Sequence, residues 1–108
     1  MRKVYDKLVR DRIPDRLDAA GVGYGSRVAD PREMRGLLLA KLDEEVAELK
    51  AAAPGAATTG EAADVVEVVR AIAKLDGYGP DALEVERSAK EAERGGFERG
   101  VVLLWADG

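Results

Sequence analysis

Between positions 31 and 53 the apolar residues Met34, Leu38, Leu42, Val46 and Leu49 recur every three or four places. At about 100° per residue they fall on one arc, which predicts a helix with a single inward stripe. Asp30-Pro31 would open it, an oxygen-bearing cap before a proline whose missing N–H costs nothing there, and Pro54-Gly55 would end it. A second stripe, Val65, Val68, Val69 and Ile72, belongs to a helix opened by Thr58 and Glu61 as a T-x-x-E capping box and stopped after about Leu75 by Asp76-Gly77. Pro80 starts a further helix, closed near Arg94 by Gly95-Gly96. Upstream, Ile13, Pro14 and Leu17 predict a short helix over 13–20, broken by Gly21. Two runs have strand length instead: Val22 to Val28, interrupted by glycines, and the apolar Val101 to Trp105. The expected fold is mainly α, an antiparallel bundle of about four helices with a short two-stranded β ribbon.

Composition narrows this. A chain of 108 residues suits one domain over its whole length, 1–108. Aromatics supply only 5% of it and hydrophobic residues 46%, so Leu, Val and Ala must build a thin core that self-association would help. With no cysteine and no histidine, disulfides, thiol nucleophiles, the usual zinc sites and imidazole bases are all excluded. Chemistry must then run on carboxylates, Lys, Arg, hydroxyls or a bound ion. A formal net charge of -4 argues against nucleic-acid binding, which needs a positive field, but leaves room for a small phosphorylated ligand. No apolar run is long enough to span a membrane and no signal-peptide pattern follows the charged N-terminus, so the cytosol is the expected location.

Several acids sit where the stripes predict apolar residues. Glu45 falls inside the first stripe, Glu48 at its margin near Leu37, and Glu44 further toward the polar side. In the next helix Glu61 projects within the stripe and Asp64 lies at its edge, while Glu67, Arg70 and Lys74 take the solvent side. Burying a lone carboxylate costs several kcal/mol and like charges repel, so four acids on two facing stripes call for a cation. Oxygen-only ligands favour magnesium, with manganese as the alternative. Residues three apart point side by side on a helix, so Glu45 with Glu48 and Glu61 with Asp64 would form two carboxylate pincers. Each acid also has an ordinary reading. Glu61 is the capping-box acid, Asp64 favours the positive end of its helix, and Glu44 and Glu48 suit surface pairs with Lys41 or other cations. Glu45 is the hardest to explain that way.

Two basic groups are candidates for phosphate contacts. Arg87, Lys90 and Arg94 share a helix face with Leu83, although Glu84, Glu86, Glu91 and Glu93 around them suit a solvated face equally. Lys7 and Arg10 lie in a basic N-terminal arm, for which a solvated tail is the competing reading.

Glu44-Glu45-Val46-Ala47-Glu48 and, after a twelve-residue gap, Glu61-Ala62-Ala63-Asp64 resemble the acidic motif of the all-alpha nucleoside triphosphate pyrophosphohydrolase superfamily. That superfamily includes MazG-type enzymes, phosphoribosyl-ATP pyrophosphohydrolases and the all-alpha dUTPases. The opening Tyr5-Asp6-Lys7-Leu8-Val9-Arg10-Asp11 and the closing Glu93-Arg94-Gly95-Gly96-Phe97-Glu98 resemble a MazG-like subgroup predicted to remove non-standard nucleotides. The resemblance implies a MazG-like bundle in which Glu45, Glu48, Glu61 and Asp64 bind magnesium and Glu44 helps order the site or its water. It also implies a homodimer or homotetramer. One departure is Ser88 two positions before Lys90, where MazG-type enzymes often carry Asn. The expected reaction is magnesium-dependent hydrolysis of a non-standard nucleoside triphosphate to monophosphate and pyrophosphate, with Glu44 or Glu48 accepting the proton of water. Phosphoribosyl-ATP hydrolysis and a non-catalytic helical interaction module are the alternatives.

Overall fold

The structure, a computed structural model, describes all residues 1–108 and contains four helices and no strand. They are α1 (Ile13–Ala19), α2 (Met34–Ala51), α3 (Ala56–Leu75) and α4 (Pro80–Arg94). The chain is mainly α, as its periodicities predict. α2 and α3 pack along each other as an antiparallel hairpin across the short connection 52–55, α4 rests on α3 over a smaller contact, and α1 touches no other helix.

Both inward stripes behave as their spacing requires. Leu38 of α2 and Val68 of α3 are buried, Met34, Leu42, Val46, Leu49, Val65, Val69 and Ile72 are half-buried, and Glu67, Arg70 and Lys74 face solvent. Burying a side chain such as Leu38 or Val68 contributes about 1.5–3 kcal/mol, so this seam is the main apolar adhesive of the hairpin. Arg35, near the start of α2, reaches Asp76 just past the end of α3 at 3.1 Å and ties the open end together. There Gly77 takes φ 95°, letting the amide of Tyr78 turn back to the carbonyl of Ala73 at 2.8 Å and close α3.

Three expectations need correction. Val22–Val28 and Val101–Trp105 form no ribbon: neither segment has strand structure, and Val101 to Trp105 stand 73–86% exposed. A strand exists only through a partner's backbone, and the glycines at 21, 23 and 25 leave too little side chain to fix a register. Second, the long helix starts at Met34 rather than 31, because the Asp30 carboxylate accepts the Arg32 amide at 2.8 Å and stabilises a turn ahead of it. Third, Thr58 and Glu61 make no capping box. α3 already begins at Ala56, and its cap is Gly55 at φ 130°, a conformation open to glycine, so Thr58 lies inside the first turn.

The isolated chain is open. Its radius of gyration is 18.1 Å and its longest extent 58 Å, against about 13 Å expected for a compact domain of this length. Only Leu38, Val68 and Glu45 are buried, so one of the three most enclosed residues is an acid.

Candidate metal centre

Glu45 sits late in α2 and Glu61 and Asp64 early in α3, so the hairpin turn brings them level with one another near its closed end. One carboxylate oxygen from each lies within 4.8 Å of the other two. Glu45 is only 7% exposed, as its place in the stripe predicts, and Glu61 and Asp64 are half-buried. Lys41, one turn before Glu45 in α2, approaches its Oε1 at 3.2 Å. The other oxygen, Glu45 Oε2, has no hydrogen-bond partner and no contact with solvent, and the same holds for Glu61 Oε2. Buried polar atoms are almost always satisfied, and an orphaned carboxylate oxygen costs at least about 1–3 kcal/mol. Both belong to acids of the three-carboxylate group, so its negative charge is only partly met by the side chains around it.

A divalent cation suits this donor set. All donors are hard oxygens, and they lie within 4.8 Å of one another, close enough for side-chain rotation to bring them round one ion. The charge count agrees: Glu44, Glu45, Glu48, Glu61 and Asp64 face three cations, Lys7, Arg10 and Lys41, which leaves two negative charges unmatched.

The remaining expected residues fall into two groups. Glu48 is exposed and stands outside the three-acid cluster, yet it feels it: the charge of Glu45 beside it, then lost hydration, hold the Glu48 carboxyl above the usual carboxylate range. Glu44 is half-buried and accepts hydrogen bonds from Lys7 Nζ and, at 3.4 Å, from Lys41 Nζ. The Lys7 ammonium holds the Glu44 carboxyl below its ordinary value, while Glu44 raises the Lys7 amine in turn. Arg10 donates from Nη2 to Asp64 Oδ1 at 2.6 Å, so both arm cations of the sequence reading stand against the acids.

The basic strip of α4 is placed differently. Arg87 is held by Glu84 and Glu91 of its own helix, each at 2.6 Å, while Lys90 and Arg94 are exposed and make no ion pair. No hydrogen bond or ion pair links α4 to the acids of the hairpin.

Lys41 is the site residue that sequence reasoning undervalued, seen there only as a surface partner for Glu44 or Glu48. Its side chain is 15% exposed and spans Glu44 and Glu45. The available signal was its place four residues before Glu45, where one helical turn sets a lysine over an acid.

Comparison with family models, with curated proteins and with solved structures gives no match to this chain.

Proposed function

We propose that this chain is a magnesium-dependent nucleoside triphosphate pyrophosphohydrolase acting on non-standard nucleotides, in which Glu45, Glu61 and Asp64 hold the cation. The observation that carries the reading is Glu45: buried inside an apolar stripe, with one oxygen unpartnered and oxygens of two further acids within 4.8 Å. A scaffold gains stability by replacing such an acid with an apolar residue, so its presence points to a ligand. The resemblance of the E-E-x-x-E and E-x-x-D motifs supplies the reaction class.

In the reaction, water oxygen bonds to the α phosphorus, the bond from that phosphorus to the bridging oxygen breaks, and pyrophosphate departs. A bound divalent cation supplies neutralisation of the triphosphate charge and acidifies the attacking water. Glu48 is the better proton acceptor, because it is open to solvent and carries no lysine, whereas Glu44 is held by Lys41 of its own helix. Phosphate contacts fall to Lys7 and Arg10, already beside the acids, ahead of Arg87, which its own helix occupies.

The working unit in this reading is a homodimer or homotetramer in the cytosol. Support comes from the open single chain and from the exposed apolar residues Phe97, Leu103, Leu104 and Trp105. No helix is long and apolar enough to cross a membrane.

The test is pyrophosphate release over standard, deoxy and oxidised nucleoside triphosphates with Mg2+ or Mn2+, beside calorimetric titration of the metal alone. Release that requires metal and disappears in Glu45→Gln is expected. A wild-type protein that binds neither metal, with or without nucleotide, would return the chain to the helical-module reading.

A further inference from the structure

The N-terminal arm meets the acid cluster from outside the hairpin. It carries no regular element before α1, yet it is held at several points. Leu8 is half-buried and shares a small cleft with Leu37, Lys41 and Glu44. Lys7 Nζ bonds Glu44 and lies 5.6 Å from the centre of the Tyr5 ring. Asp6, directly before Lys7, takes φ 45°, a left-handed conformation that only aspartate and asparagine among the larger residues adopt at modest cost. Arg10 then reaches Asp64, an acid 54 positions away and a member of the cluster itself.

Two cations from one short arm thus neutralise Asp64 of the cluster and its neighbour Glu44, while Glu45 Oε2 and Glu61 Oε2 stay orphaned. Arg10 engages a ligand carboxylate, and Lys7 pins the acid next in sequence to Glu45. Guanidinium and ammonium groups are also the natural partners of phosphate oxygens. We propose that Lys7 and Arg10 are exchangeable internal counter-ions: they occupy the acid cluster while it lacks a divalent cation, yield Asp64 and Glu44 when one binds, and turn to the triphosphate it accompanies. The inference rests on the divalent-cation reading above and adds to it a device that joins metal loading to substrate capture. In this scheme the arm discourages loose metal binding and is free to clasp the anion only once the centre is charged.

The scheme predicts opposite signs for two affinities, which a merely structural arm does not. In calorimetry with Mn2+ alone, Arg10→Ala binds the metal about two- to five-fold tighter than wild type, the range set by losing an exposed competing ion pair. With Mg2+ present, the same variant binds inorganic triphosphate more weakly. A second measurement uses the wild-type chain only: amine acylation of Lys7, read by mass spectrometry and normalised to Lys3, becomes faster when Mg2+ is added. Equal metal affinity in both proteins with unchanged Lys7 labelling overturns the exchange while leaving the metal centre in place. Weaker metal binding by Arg10→Ala also overturns it, since Arg10 would then help to hold the site. Absence of metal binding in both proteins removes the exchange together with the reading on which it rests.

Discussion

Two charged faces stand out in this chain, and they are built in opposite ways. On α4, Arg87 bonds Glu84 and Glu91, partners three and four residues away on the same helix. On the hairpin, Lys7 bonds Glu44 and Arg10 bonds Asp64 across 37 and 54 positions, and oxygens of Glu45 and Glu61 still lack a partner. A pair within one turn forms wherever the helix forms and says little about function. A pair that brings distant segments together must offset their loss of freedom, and orphaned oxygens beside it carry a further cost. The contrast teaches that charge density alone does not locate a site. The unsatisfied part of it is the sharper guide to where a ligand would sit.

The largest effect should come from Glu45→Gln, which keeps the shape and removes the charge. Metal-dependent pyrophosphate release should fall by more than about a hundredfold, beyond what loss of an outer partner of a metal usually costs. The melting temperature should change little, because the variant removes one of three clustered like charges while Lys41, which loses Glu45, keeps Glu44. Full turnover in this variant would put the hairpin acids on the same footing as those of α4.

Much of the hairpin is legible in the chain itself because a helix is a local object. Spacing alone separates inward Leu38, Glu45 and Val68 from outward Glu67, Arg70 and Lys74, and the structure buries and exposes them accordingly. Helix starts are less legible: Asp30 and Thr58 have the right oxygens, but a turn claims the first and Gly55 opens α3 ahead of the second. The partners of Lys7 and Arg10 lie beyond any periodicity, since nothing in local spacing encodes which of five acids an arm will reach. The ribbon fails for the same reason, because strand-like composition at 22–28 and 101–105 does not specify a partner.

Self-association is the next lever on the comparison, because the apolar tail that follows α4 is uncovered in the single chain. Leu104 is 86% and Trp105 75% exposed in the single chain. If they cover each other's chains in a homo-oligomer, Leu104→Asp should weaken the assembly by about tenfold or more in sedimentation equilibrium, the scale of a well-buried apolar anchor. Unchanged mass at all concentrations would separate this tail from the interface.

A smaller effect concerns pH. Glu44 is depressed by Lys7, so the part of the arm's attachment it supplies is present above the ordinary carboxylate value of 4.5 and fades as pH falls through the lowered one. Lys7 is raised by Glu44, so its part is present below 10.5 and fades as pH climbs through the raised value. The arm should therefore stay attached across the whole neutral range. Carboxyl carbon resonances give the check: Glu44 should titrate below its ordinary range in wild type and move upward in Lys7→Ala.

The smallest expected effect tests the α4 side directly. Arg87 is saturated by two acids of its own helix, and those contacts also hold the Glu84 carboxyl below its ordinary value. Arg87→Ala should then change KM and kcat for the triphosphate by less than about two-fold, as for most exposed pairs, while Glu84 titrates closer to its ordinary range. Lys90→Ala is the informative neighbour, since Lys90 shares the face and makes no ion pair. A KM that rises for Lys90→Ala but not for Arg87→Ala would show that an unpaired cation of α4 reaches substrate, although within one chain α4 has no hydrogen bond or ion pair to the hairpin acids. The strip would then belong to a site completed by a second copy, and the difference between the two faces would be one of assembly. Equal, small effects for both would leave phosphate recognition with Lys7 and Arg10 and confine α4 to a solvated, self-paired surface.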